Sequence, residues 1–342
     1  MIRFVWLQFR TQAAIAFGAL AILAIILAFT GSHLVHVYDT TIATCRAQRD
    51  CGTVTATFLH NNRTLRTWLG YLVIVAPGII GIFWGAPLVA REFETGTQRL
   101  VLTQSVTRTR WLVAKISVIG LTSILFAGLL SLMVTWWASP LDRVNMNSFA
   151  TFDQRDIVSI GYAAFAFALG LGAGVLIRHV VPAMAATFAA FVAVRIAFIN
   201  LVRSHFESAL TLSRHYSASF GPGHGIVYSY PMTFASSPGS WVISSKTFNA
   251  AGNAVTNIAC KLKSGIRVGP GSQPLSQAAL KAKLRADEAV FQKCIEQYRQ
   301  VFTYQPASRY WPFQWYETSS FIAFALVLCV ATIWWVRRRA ST

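Results

Sequence analysis

Two glutamates in an E-x-E pattern, Glu92 and Glu94, open the stretch REFETGTQRLVLTQSVTRTRWLVAK, residues 91–115. Gly96, Thr97, Arg99 and Leu100 follow, and Leu100 starts a short apolar patch with Val101 and Leu102. Carboxylates, a guanidinium and a small apolar patch on one segment are the materials of a docking surface. They are not the materials of a catalytic centre. The rest of the chain holds no G-x-x-x-x-G-K-[ST] phosphate loop and no H-E-x-x-H metal motif. His33 and His36 stand three apart but have no neighbouring acid or cysteine to complete a metal site. The sequence therefore reads as a chain that is not an enzyme by itself and holds no cofactor of its own. Two isolated charges complete the candidate set. Arg195 lies within an apolar run, where an ionisable residue is a functional candidate by default, and Glu317 opens another.

The elements that must position these residues are membrane spans. The chain has 342 residues, is 54% hydrophobic and is only 12% charged, about half the charged fraction expected of a soluble domain. Six apolar runs are long enough, at about 20 residues each, to cross a hydrocarbon core. They cover residues 11–31, 69–90, 116–138, 157–177, 180–202 and 318–336. The stretch that begins with Glu92 thus lies between the second and third spans. The leading MIRFVWLQFR mixes aromatic and basic residues, as expected of a short helix lying in the membrane interface.

Arg3, Arg10, the five basic residues of 91–115, Arg178 and Arg337 to Arg339 all fall on one side of the six-span arrangement. The positive-inside rule puts that side, with both termini, in the cytoplasm. Trp68, Trp136, Trp311 and Trp315 mark one boundary, and Trp6, Trp111, Trp334 and Trp335 the other. The net charge of +18 is then largely topology signal plus a basic outer region, and no nucleic acid is needed to explain it. Cys45, Cys51, Cys260 and Cys294 all fall on the outer side, while Cys329 lies in the last span. Three pairings are open, and the local ones, Cys45 with Cys51 and Cys260 with Cys294, are expected.

The fold class is an α-helical integral membrane protein with six transmembrane helices and a disulfide-linked extracytoplasmic domain between helices five and six. Residues 1–203 hold the first five spans and the 91–115 loop, 204–316 the outer domain, and 317–342 the last span with a basic tail. Within the outer domain, Leu280, Leu284, Phe291, Ile295, Tyr298 and Phe302 recur at helical spacing. That spacing predicts a helix over 276–304. Ala166, Gly170 and Gly174 repeat every four residues in the fourth span, the pattern either of a close helix contact in lipid or of a flexible hinge for a moving gate. Arg195 sits near the outer boundary by residue count. It either snorkels to water or faces the interior to meet an anionic substrate group or Glu317.

The pattern E-x-E-x-G-T-x-x-L, then T-Q-S-V-T-R-x-R-W and a lysine at the next span, resembles the cytoplasmic coupling region of type-2 ABC transporter permeases. YQPASRYWPFQWYE, residues 304–317, is similar to the segment that leads into their last span. The resemblance implies the membrane subunit of an ABC exporter in the plasma membrane. Glu92, Glu94, Gly96, Thr97, Arg99 and Leu100 would lie on its coupling helix. Its partners would be two copies of a cytoplasmic ATPase, which bind ATP and Mg, and a second permease subunit, identical or different, with lipids around them. Export of an amphipathic or hydrophobic substrate is the implied activity. The alternative is a regulatory membrane protein that relays an ATPase signal to its outer domain without transport.

Overall fold

The computed structural model describes residues 2–42, 44–45, 51–94, 108–145, 148–216, 239–256, 258, 290 and 292–338. The chain divides into two compact units, one of residues 1–206 with 309–342 and one of residues 207–308. Among the described residues the first unit holds six helical stretches long and apolar enough to cross a membrane.

The first stretch is α1, Ile2–Val37, which ends in a π-turn at Tyr38–Ile42. No break separates its first ten residues from the span. Val5 and Phe9 are buried against Ile80, Ile119 and Phe167, so the leader is the first turns of the span rather than an interfacial helix. Its apolar residues find partners on neighbouring spans, which is why it does not lie flat. A short α2, Gly52–Asn61, follows the Cys45–Cys51 disulfide.

The second stretch is α3, Arg63–Ile80, a π-turn at Gly81–Gly85 and α4, Pro87–Glu94. The π-turn comes four residues after Pro77, which has no N–H to give, and the Ala86 N–H reaches back to the Gly81 carbonyl at 2.9 Å. Then come α5, Arg108–Asn145, a 3-10 segment at Ser148–Gln154, α6, Val158–Ile177, and α7, Val180–Leu201. A second 3-10 turn, Arg203–His205, ends α7. The last helix, α8, is Tyr310–Arg338 and starts about two turns before the apolar run that announces it.

The bundle is built around α6. In its most apolar window 67% of residues are buried, against 17–50% in the other five stretches, so α6 is the central helix. Glycines make that possible at one face. A Cβ on Gly81 would stand 2.6 Å from the Ala166 carbonyl oxygen, and one on Gly85 would stand 2.6 Å from that of Phe167. A Cβ on Gly174 would meet the Ala86 carbonyl oxygen at 2.5 Å. The second stretch and α6 therefore touch backbone to backbone, the close contact that holds helices together where lipid removes the hydrophobic drive. The outward faces carry Ile15, Phe29, Leu121, Val181 and Val330, all well exposed, as lipid-facing side chains are.

In the second unit, β1 (Leu210–His215), β2 (Trp241–Phe248), β3 (Ala254–Val255) and β4 (Arg299–Gln305) form an antiparallel sheet in the order β1-β4-β2-β3. β4 corrects the helix expected over 276–304. Described helical residues end at Ile295, and Phe302 pairs with Leu212 on one side and Ser245 on the other. The run RQVFTYQ is rich in β-branched and aromatic residues. Strands on both sides satisfy its backbone, and the spacing of Ile295, Tyr298 and Phe302 is coincidental. Most of the predicted helix, like Cys260, lies outside the described residues.

Replacing Gly81 by Val should overpack the α3–α6 contact and destabilise the protein by about 1–3 kcal/mol. Gly172→Ala, whose Cβ would meet Thr332 Oγ1 at 3.5 Å, should change stability by less than about 0.5 kcal/mol. Thermal melting of the two purified variants in detergent measures the difference. Equal melting would refute the backbone contact.

Candidate functional site

Residues at two ends of the first unit carry its chemistry. The end of α4, the start of α5, the α6–α7 junction and the end of α8 share one end, where Leu112, Val89, Leu171 and Val175 pack with Trp335 and Val336. Here α4 ends in Glu92, Phe93 and Glu94, and successive helical residues point about 100° apart. Each therefore reaches a different neighbour.

Glu92 forms an ion pair with Lys115 of α5. The Lys115 ammonium also donates to the Leu88 carbonyl at 3.5 Å and lies 4.4 Å from the centre of the Trp111 ring. Lys115 is almost fully buried, where an unpaired ammonium would be very costly. The Phe93 ring lies 5.4 Å from the Arg178 guanidinium. Arg178 ends α6 in the left-handed conformation, with φ 62°, and so allows the immediate restart at Val180. Glu94 accepts the Val180 N–H at 3.4 Å and lies 3.7 Å from His179 Nδ1. A carboxylate there satisfies one orphan N–H of α7 and sits at the positive end of its dipole. Gly96, Thr97, Arg99 and Leu100 lie outside the described residues.

At the opposite end, four charged side chains and a tyrosine form one buried network. Arg195 is 8% exposed, Arg203 5%, Tyr162 1% and Glu317 1%. Arg203 donates through Nε to Glu317 Oε2 at 2.7 Å and through Nη2 to Glu317 Oε1 at 2.8 Å. It also donates to Asp153 Oδ1 at 2.5 Å and Oδ2 at 3.1 Å. Arg195 donates to Asp153 Oδ1 at 3.1 Å and to the Ile74 carbonyl at 3.3 Å, with its guanidinium 4.0 Å from the centre of the Tyr162 ring. The Tyr162 hydroxyl lies 2.5 Å from Glu317 Oε1 and 2.8 Å from Asp153 Oδ1. Two positive and two negative charges cancel. Burial works to raise the Asp153 carboxyl. Arg203, by charge and hydrogen bonds, and then Arg195 outweigh it and hold the group below the usual carboxylate range.

The segment that carries Asp153 is fixed independently. Tyr310 donates to Asp156 at 2.5 Å, and Gln314 spans from the Phe152 carbonyl at 3.0 Å to the Val158 N–H at 3.0 Å. Asp156 has φ 58°, a left-handed conformation that aspartate tolerates. Its N–H is bonded to Thr135 and its carbonyl to Ser131 on α5. An ion pair of Arg155 with Asp142 adds another tie to α5.

Snorkelling of Arg195 is thus corrected, because its guanidinium turns inward and finds a carboxylate there. Its partner is Asp153, while Glu317 pairs with Arg203. Asp153 and Arg203 escaped the sequence reading because both stand just outside the apolar runs. A usable signal was present: Arg195 and Arg203 are eight residues apart, about two helical turns, and so share a face. Of the four paired cysteines expected, Cys45 and Cys51 are bonded to each other, and Cys294 is disulfide-bonded. Among the described residues no group of His, Cys, Asp and Glu could hold a metal ion.

Arg203→Met should destabilise the protein by about 3–5 kcal/mol, since it leaves two buried carboxylates to one guanidinium. Adding Glu317→Gln restores a one-to-one match with Arg195 and Asp153, so the double variant should melt above the single one. Melting of both in detergent checks this, and a double variant no better than the single would reject charge matching as the cause.

Residues 17–203 match the family described as ABC-2 membrane transporter related. No curated protein and no solved structure matches the chain. The family match takes in Glu92, Glu94, Asp153, Tyr162, Arg195 and Arg203 and stops before Glu317. With more than half of its length matched and six apolar helical stretches, the chain belongs to the ABC-2 membrane transporter related family and is a multi-pass, permease-type membrane component of an ABC system.

Proposed function

We propose that the chain is the permease subunit of an ATP-driven exporter, in which a separate cytoplasmic ATPase drives efflux of an amphipathic or hydrophobic substrate. The end bearing both termini faces the cytoplasm, in keeping with its basic residues, and the unit of residues 207–308 faces outward. The working complex holds two ATPase subunits, which bind ATP and Mg, and a second permease subunit, identical or different.

One observation carries the reading. The segment after Glu94 departs from a root that is fastened to three places at once, α5 through Lys115, the α6–α7 junction through Arg178, and α7 through Val180. A loose connector needs no such bracing. A loop that receives force does, because its load must pass to the spans rather than unwind its own base. Glu92, the most enclosed of the root's charged groups, is then a positioning residue. Glu94 and the loop residues Gly96, Thr97, Arg99 and Leu100 present the surface that meets the ATPase.

Reversing the charges with Glu94→Lys and Arg99→Glu should leave the chain in the membrane. ATP hydrolysis should no longer respond to substrate, and less ATPase should copurify. Parental assembly and parental coupled hydrolysis in that double variant would reject the assignment.

A further inference from the structure

We infer that the network of Asp153, Tyr162, Arg195, Arg203 and Glu317 is a latch that holds its end of the bundle shut, with Asp153 as the release point. The inference rests on the permease reading, since a shut end matters only if substrate leaves through it.

The network draws one residue or more from each of four elements. Asp153 comes from the 148–154 segment, Tyr162 from α6, Arg195 and Arg203 from α7 and its 3-10 end, and Glu317 from α8. The Ile74 carbonyl of α3 is a further acceptor. A passage cannot open between these elements without breaking bonds among charged groups, and those bonds differ in how readily water replaces them. Glu317 is 1% exposed and takes two hydrogen bonds from Arg203, so its loss would strand charges in the interior. Asp153 has a side chain 24% exposed and sits on the kinked 3-10 segment Ser148–Gln154 rather than on a span. Water at its open edge can take over the bonds that the two arginines give up. The Asp153 contacts are therefore the ones that part first.

Aromatic rings are tied to the same movement. Phe149 and Phe152, on the segment of Asp153, stack with centroids 5.9 Å apart. Phe149 meets Phe313 at 5.8 Å, and the Arg203 guanidinium lies 4.4 Å from the centre of the Phe152 ring. Displacing Asp153 carries these rings off α8 and off Arg203, so that one step both uncouples the charges and admits water. Plain structural cement would not need a surface-accessible member.

The test places a reporter, Thr318→Cys, next to Glu317. Thr318 is 4% exposed and its hydroxyl has no hydrogen-bond partner, so the change is mild. The chain, in a Cys329→Ser background and in complex with its ATPase, is placed in lipid nanodiscs and treated with a charged maleimide, with the reporter-free chain as the blank. Without nucleotide, Asp153→Asn should label about tenfold faster than the parent. Tyr162→Phe, which keeps all four charges and the ring, should shift the rate the same way by less, and it decides the matter if Asp153→Asn is not recovered folded. Parental labelling rates overturn the latch, and a lower melting temperature with unchanged labelling overturns it too by assigning the network to stability alone. A separate arm adds ATP to the parent. Faster labelling there supports the permease reading, and no response counts against that reading while the nucleotide-free comparison still decides the latch.

Discussion

Two guanidinium groups and two carboxylates share a volume closed to lipid and almost closed to water, and the far end of the bundle holds its shape only while their charges cancel. Arginine keeps its charge in a protein, so the two guanidinium charges are permanent. The carboxylates must stay ionised and stay close. Asp153 meets that condition although it does not belong to a span. Its segment therefore has to be pinned beside α7 and α8, and the bonds of Tyr310 to Asp156 and of Gln314 to Phe152 and Val158 do this. The early start of α8 follows as well, since Tyr310 and Gln314 need a helical scaffold to reach the segment.

Charge matching needs the helices close, and closeness comes from glycine. Gly81, Gly85 and Gly174 let the second stretch and α6 meet at backbone distance, which brings α3 near enough for the Ile74 carbonyl to take a bond from Arg195. The π-turn at Gly81–Gly85 supports the same contact. It shifts the register of the helix between α3 and α4, so that one helical stretch presents Gly81 and Gly85 to α6 and still delivers Glu92 and Glu94 to α5 and α7. A regular α-helix through the same residues would rotate one set away from its partners.

The six spans were legible because each is an apolar run of about 20 residues, long enough to cross a hydrocarbon core, a signal that tertiary packing does not disturb. The Ala166, Gly170 and Gly174 repeat was legible for the same reason, since only small residues permit that approach. What failed to read was context. Val5 and Phe9 look like an interfacial helix until Ile80 and Ile119 are seen beside them. Phe302 fits a helical period as well as a strand, and only the flanking β1 and β2 decide between them. Asp153 and Arg203 looked like ordinary polar ends of spans. Their pairing spans 50 residues of sequence, and a pairing of that range leaves no periodic trace in one chain. The Cys45–Cys51 bridge was readable because its loop is short enough for proximity to choose the pairing.

The two ends of the first unit have α7 in common. Its first N–H is held by Glu94, and Arg195 on it and Arg203 in the 3-10 turn that ends it carry the guanidinium groups of the network. From Val180 to Arg203 is about 35 Å at 1.5 Å per residue, the full depth of a bilayer with its inner headgroup edge. The α-helix runs to Leu201, and Arg203 follows in the 3-10 turn that closes it. A displacement of α4 that pulled on Val180 would reach Arg195 and Arg203 along this one element. Asp153 belongs to another element, so relative movement between the two would load the Asp153 to Arg195 and Asp153 to Arg203 bonds. The physical content of the link is the differential attachment of these residues to separate elements, and it requires no chain of side-chain contacts through the bundle.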